Sequence, residues 1–248
     1  MEMTNLPTGG SSPDRGRPIL RARDLVKDFL GPDGVVHALA AVSLDLYAGE
    51  VVAIVGRSGS GKTTLLQMLG LLSTPTGGSL ELLGNQVRSL RPHEQAAFRR
   101  RHLGFVFQSF NLLPQLSALE NVELPMLGPD TASRAHALLD SLGMGERLGH
   151  RPDALSAGEQ QRVAIARAVS NEPGILLADE PSGNLDQATE TELLELLRRM
   201  AERGCCVVIV THSRAVAEIA DRVITLDSGR VAVGYESAEG TTRTEMTA

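Results

Sequence analysis

Gly56-Arg57-Ser58-Gly59-Ser60-Gly61-Lys62-Thr63-Thr64 fits the pattern G-x-x-x-x-G-K-[ST] and lies between an apolar run, Val51–Val55, and a segment at 62–71 that reads as a helix. Glycines in such a loop let the backbone curl so that its N–H groups face phosphate oxygens. The helix N-terminus adds partial positive charge, Lys62 can reach the β- and γ-phosphates, and the Thr63 hydroxyl suits Mg²⁺. The run before it lacks polar alternation, which predicts a strand buried on both faces. By itself the loop specifies a nucleotide phosphate site that kinases, GTPases and motors share.

An acidic partner narrows this. Ile175-Leu176-Leu177-Ala178-Asp179-Glu180 is an apolar strand delivering two carboxylates at its end, the edge where a first βα loop holds phosphates. Asp179 is the candidate metal-holding carboxylate, directly or through water, and Glu180 the candidate general base that polarises an attacking water.

Working outward, short strands are expected at 19–25, 35–46, 77–83 and 86–87, with a turn at Gly31-Pro32-Asp33-Gly34. Residues 91–101 read as a polar helix, 103–107 as a strand, and 111–155 as mostly helical, broken at Pro114, Pro125, Pro129 and Pro152. Helices at 157–170, 189–203 and 214–220 then alternate with strands at 175–178, 205–210 and 223–226, the pattern of a largely parallel sheet. The expected architecture is an α/β core domain over 19–234 with an antiparallel β region at its start and a helical subdomain, about 91–157, inserted in it. Residues 1–18, rich in Gly, Ser and Pro, and the polar stretch 235–248 read as flexible extensions.

Composition limits the partners. The 248 residues are 42% hydrophobic, enough for a real core, and carry a formal net charge of −6, which argues against a general nucleic-acid binder. No apolar stretch approaches the ~20 residues of a membrane-spanning helix, and Met1–Pro7 lacks a signal peptide's basic start and apolar run, so the expected compartment is the cytoplasm. The two cysteines, Cys205 and Cys206, are neighbours in an apolar run and read as buried strand thiols.

Between the two phosphate-related motifs lies Leu155-Ser156-Ala157-Gly158-Glu159-Gln160-Gln161-Arg162-Val163-Ala164-Ile165-Ala166-Arg167-Ala168. A serine at a helix N-terminus followed by small residues is a second anion site, and one chain does not need two. This segment resembles the signature of the ABC ATPase family. The resemblance implies a RecA-like P-loop NTPase core and a second copy of the chain. Ser156, Ala157, Gly158 and Glu159 would then serve a nucleotide held by that copy, so that two chains close head to tail around two ATP molecules.

Further family marks follow the same order. Phe29 matches the aromatic that stacks on adenine, Gln108 the glutamine that senses magnesium and water, Asp186 in Gly183-Asn184-Leu185-Asp186 the loop that communicates across the dimer, and His212 the histidine at the γ-phosphate. Leu112-Leu113-Pro114, Ala118-Leu119-Glu120-Asn121-Val122 and the run from Ala178 to Asp186 are most similar to the branch containing LolD, MacB and FtsE.

That resemblance implies an ATP- and Mg²⁺-dependent ATPase attached to the cytoplasmic face of a membrane through a transmembrane permease, and used for export or extraction of lipoprotein, peptide or drug-like substrates. The sequence ends soon after the ATPase segment, so the expectation is LolD-like, with the permease on a separate polypeptide. An FtsE-like signalling role, and a soluble ABC ATPase outside transport, are the alternatives. Against the second, neither heptads nor spaced cysteines occur between the two halves. The apolar residues Phe110, Leu112, Leu113, Leu116 and Leu119 fall where the family has its groove for a permease helix. Two departures stand out: Ala157 occupies a position where glycine is usual, and Ser213 one where this branch often has Asp.

Overall fold

A computed structural model describes residues 16–32, 34–183 and 185–232. The expected extensions at 1–18 and 235–248 lie, apart from residues 16–18, outside the described residues, as do Asp33 of the expected turn and Asn184. The chain opens with β1 (Leu20–Gly31) and β2 (Gly34–Leu46), an antiparallel pair, then β3 (Val51–Val55), α1 (Lys62–Leu69), β4 (Gly77–Leu82) and β5 (Asn85–Gln86). There follow α2 (Pro92–His102), β6 (Leu103–Val106), α3 (Ala118–Glu123), α4 (Thr131–Ser141), α5 (Ala157–Val169), β7 (Ile175–Asp179), α6 (Gln187–Glu202), β8 (Cys206–Val210), α7 (Arg214–Ile219), β9 (Arg222–Asp227) and β10 (Arg230–Val231).

The strands form two sheets. One is antiparallel, in the order β2-β1-β4-β5. The other, β10-β9-β3-β8-β7-β6, is parallel except at the short β10 edge. Its central strand β3 is buried on both faces, as its unbroken apolar sequence predicts. Val52 and Ile54 join Leu177, Val208 and Val210 under α1 and the antiparallel sheet, whereas Val51 and Ala53 join Leu176, Ala178, Val207 and Ile209 under α5, α6 and α7. The period-2 geometry of a strand thus sorts one sequence into two cores. Helices α1 and α5 consequently lie on opposite faces of the sheet.

The stretch 91–157 is divided. Phe98 of α2 packs on the first core and β6 pairs with β7 as a parallel edge strand, so both elements belong with the sheet. A third core gathers Ala118, Val122, Met126, Ala135, Leu139 and Met144 with Val163 and Ala166 of α5. Residues 111–117 are not helical; the Asn121 side chain satisfies their backbone instead, accepting from Leu113 N–H and donating to the Leu113, Leu116 and Ser117 carbonyls. Val87, expected in a strand with Gln86, turns inward to the first core.

Cys205 and Cys206 point to opposite faces of the sheet, one in each core. Burial pushes the Cys205 thiol up to about 11 and that of Cys206 well above its ordinary value. Among the described residues, no helix is long and apolar enough to cross a membrane.

Candidate nucleotide site

The phosphate loop is shaped by what cannot fit beside it. At Gly56, with φ 153°, a Cβ would lie 2.1 Å from the Leu226 carbonyl oxygen of β9; at Gly61, with φ 99°, it would lie 2.4 Å from the Ala38 carbonyl oxygen of β2. Both positions therefore require glycine. Gly61 is also the residue from which α1 starts, so the first N–H groups of that helix open into the loop. The nearly buried Lys62 folds its ammonium back onto the loop, donating to the Gly56 and Arg57 carbonyls at 2.9 and 3.1 Å. The Ser60 hydroxyl is buried and has no hydrogen-bond partner among the described residues. A glycine-only curve, a helix N-terminus, an ammonium resting on carbonyls and an orphaned hydroxyl fit a polyphosphate chain.

Carboxylates arrive from the neighbouring strands. Asp179 ends β7 opposite Val210 of β8, and the Thr63 hydroxyl donates to its Oδ1 at 3.4 Å. Burial raises the Asp179 pKa, against the opposing pull of Thr63 and the Lys62 charge. Thr63 and Asp179 supply two hard oxygen donors, which fits Mg²⁺, an ion that keeps waters and takes phosphate oxygens for its other positions.

Glu180 sits in the left-handed region at φ 47°, tied by its N–H to the Val210 carbonyl at 2.9 Å. Its Oε1 is 3.2 Å from His212 Nε2, which in turn lies 3.4 Å from Lys62 Nζ. The ends of β3, β7 and β8 thus bring Lys62, Thr63, Asp179, Glu180 and His212 together. Ser213 points elsewhere, its hydroxyl donating to Glu190 Oε1 of α6 at 2.9 Å.

Gln108 follows β6, and its amide nitrogen approaches the loop after Glu180: a Cβ on Gly183 would lie 3.5 Å from it. Phe29 is 44% exposed, with the Lys27 ammonium 5.0 Å from its ring centre. Its backbone pairs with Val36, two residues or roughly 7 Å along β2 from the Ala38 carbonyl that walls the loop. Asp186 caps α6, accepting from the Thr189 N–H at 3.0 Å and its hydroxyl at 2.9 Å.

The second anion site does not join this group. Ser156 caps α5, accepting from the Glu159 N–H while the Ser156 N–H donates to the Glu159 carboxylate at 2.8 Å, a reciprocal capping box. Ser156 and Ala157 are exposed. Gly158 lies against Thr189 of α6, on the sheet face opposite α1. Two residues to which the sequence motifs gave no role brace the Gln108 loop. One is Asn121. The other is Arg167, a cation in the apolar C-terminal half of α5, Val163–Val169, which is the sequence signal that could have marked it.

A family model described as "ABC transporter" matches residues 39–183. The macrolide export ATP-binding/permease protein MacB of Brucella melitensis is 49% identical over 221 residues, 87% of this chain but 34% of that protein, so the chain spans about a third of the MacB relatives' length. The lipoprotein-releasing system ATP-binding protein LolD of Zymomonas mobilis is 45% identical over 231 residues, covering 91% of this chain and 100% of that one. Among solved structures, a dimeric post-hydrolysis state of the ATP-binding cassette MJ0796 bound to ADP and Pi superposes with a TM-score of 0.83 at 39% identity, covering 90% of this chain and 100% of that chain.

The α5 capping box titrates in acid. The Ser156 backbone N–H, then Arg147 and the Ser156 hydroxyl, pull the Glu159 carboxyl down to about 2. Its folded pKa lies below the unfolded one, so its contribution to stability is complete above the unfolded pKa and is lost as pH falls toward about 2. Glu159→Ala should cost about 1 kcal/mol at pH 7, the usual scale for a lost cap. In urea melts the gap between variant and parent should shrink at pH 3. An unchanged gap at pH 3 would refute the assignment.

Proposed function

The chain belongs to the ABC transporter family, and from that premise we propose that it binds and hydrolyses ATP to drive a membrane permease. The observation that carries this reading is the convergence of Lys62, Thr63, Asp179, Glu180 and His212 at the ends of three neighbouring strands.

On this reading Lys62 exchanges the Gly56 and Arg57 carbonyls for β- and γ-phosphate oxygens, and Ser60 and the loop N–H groups complete the cradle. Phe29 offers a stacking surface to adenine. A magnesium ion held by Thr63 and Asp179, with Gln108 near its water shell, would supply charge neutralisation across the phosphates. Water attacks the γ-phosphorus, the bond to the β,γ-bridging oxygen breaks, and ADP and phosphate result. Glu180 orients that water and takes its proton; His212 holds Glu180 in place and faces the γ-phosphate.

Ser156 and Ala157, exposed at the start of α5, are read with Gly158 and Glu159 as the grip on a nucleotide held by a second copy, with Asp186 nearby at the start of α6. The Ser156 oxygen already accepts a hydrogen bond, which leaves its O–H free to donate. The Ala157 methyl is exposed at that helix start and leaves the N–H available. ATP bridging two copies favours the closed dimer, and losing the γ-phosphate removes the preference.

The helical subdomain carries the permease contact, and the protein attaches through it to the cytoplasmic face of the membrane. The relatives' names, macrolide export and lipoprotein release, support lipoprotein, peptide or drug-like substrates moved by export or extraction. Of the five apolar residues after Gln108, Leu112 and Leu119 pack on the third core whereas Leu113 is 41% exposed, which makes Leu113 the docking candidate.

Two variants test these assignments. Glu180→Gln should keep ATP binding while turnover falls by ~10² or more, the scale of a lost general base, and should accumulate as an ATP-bound dimer in gel filtration; near-parental turnover removes Glu180 from the mechanism. Leu113→Asp should leave the melting temperature and basal ATPase activity intact yet abolish co-sedimentation with membranes carrying the permease. If it folds and still co-sediments, the docking surface lies elsewhere.

A further inference from the structure

Arg167 lies near the C-terminal end of α5, about 16 Å along the helix from Ser156 at 1.5 Å per residue. Its guanidinium is largely withdrawn from solvent, which lowers its pKa, and no carboxylate pairs with it among the described residues. It donates instead to two backbone carbonyls, those of Phe110 at 2.6 Å and Asn111, in the loop directly after Gln108. Phe110 and Asn111 are consecutive non-glycine residues in the left-handed region, at φ 58° and 50°. L-residues adopt that region at a cost and hold it only where surrounding contacts impose it. The nearby ties are the Phe110 N–H to Phe107 carbonyl bond at 3.0 Å, the Asn111 N–H to Ser109 carbonyl bond and the Asn121 brace on Leu113, none of which holds the Phe110 or Asn111 carbonyl. A planar fork of donors is suited to grip two neighbouring carbonyls at once, which an ammonium cannot do.

We propose that Arg167 is a positioning residue for hydrolysis, a clamp that holds the Phe110–Asn111 carbonyls so that Gln108 stays aimed at the nucleotide pocket, and that ties the Gln108 loop to the helix beginning at Ser156. This rests on reading Gln108 as a residue of the hydrolytic site. Helix α5 can carry the tie because it is shared between two cores, with Val163 and Ala166 in one and Ile165 and Ala168 in the other. A shift at its N-terminus reaches the clamp through a rigid rod, with no loop between. The Ser156 grip and the Gln108 loop therefore move together.

The test is a double-mutant cycle on the full chain with rescue, using Arg167→Met, Gln108→Ala, their combination, and Arg167→Met with Asn111→Gly. Saturating Mg·ATP gives kcat, and a fluorescent ATP analogue in EDTA gives nucleotide affinity. Arg167→Met should lower kcat about tenfold, the scale of a misplaced reacting group, with analogue affinity unchanged. Adding it to Gln108→Ala should cost nothing more, since both act through one group. Asn111→Gly should restore part of the turnover, because glycine adopts positive φ without a clamp.

Multiplicative losses in the double variant, or absence of rescue, overturn the clamp alone. Parental turnover in Gln108→Ala overturns the glutamine's role and the clamp with it, leaving the rest of the hydrolytic site to stand on Glu180→Gln. If Arg167→Met does not fold, Arg167→Lys replaces it in the same cycle. The lysine variant should lower kcat and be rescued by Asn111→Gly; parental turnover in it overturns the proposal.

Discussion

The carbonyl oxygens of Leu226 and Ala38 press against the backbone of Gly56 and Gly61 more closely than any Cβ would permit. That approach brings the antiparallel sheet, through β2, and the second sheet, through β9, onto one loop. Two further bonds secure the meeting: Gly229 N–H donates to the Ser60 carbonyl, and Ala40 N–H to the Gly229 carbonyl. With backbone already packed on its outer side, the loop turns its own N–H groups and the start of α1 inward. Phe29 is placed by the same contact, because the strand that walls Gly61 also pairs with the strand carrying the aromatic.

Electrostatics follow from this packing. Burial disfavours the charge on Asp179, so a cation arriving beside it relieves a cost already present in the fold. Lys62 rests on two neutral loop carbonyls, and under the proposed function it would exchange them for charged phosphate oxygens, which hold an ammonium more strongly. His212 touches both Lys62 and Glu180, so the proposed phosphate grip and the proposed base share a neighbour. The left-handed backbone at Glu180, like that at Phe110 and Asn111, marks where the chain accepts local cost to aim a side chain.

Much of this was legible in the sequence, for physical reasons. Val51–Val55 has no polar face, and burial on both sides is what the structure shows. The loop, the strand ending at Asp179 and the βα alternation after residue 157 are local patterns, and each formed where its pattern stood. Pairing is not local. Residues 103–107 read as a strand, but nothing in their spacing says that β6 pairs with a strand some seventy residues later, or that the third core starts only at Ala118. β10 is only two residues long and carries too little periodicity to read. The prolines after Asn111 marked broken helix, but not that one amide, Asn121, would stand in for backbone bonds. The motifs said which side chains suit phosphate chemistry; that Ser156 would face away from its own chain's loop depends on which sheet face α5 covers, and the sequence of one helix does not contain that.

The opposed burial of Cys205 and Cys206 has a practical side. Burial disfavours the thiolate at both, pushing the Cys205 thiol up to about 11 and that of Cys206 well above its ordinary value. Maleimides and mild oxidants act on thiolates that they can reach, and neither sulfur meets that requirement. The native chain can therefore serve as its own cysteine-silent background: a thiol introduced on the surface of the α/β core or of the helical subdomain would take a spectroscopic label selectively, and distances between the two or between copies could be followed without first removing residues from the core.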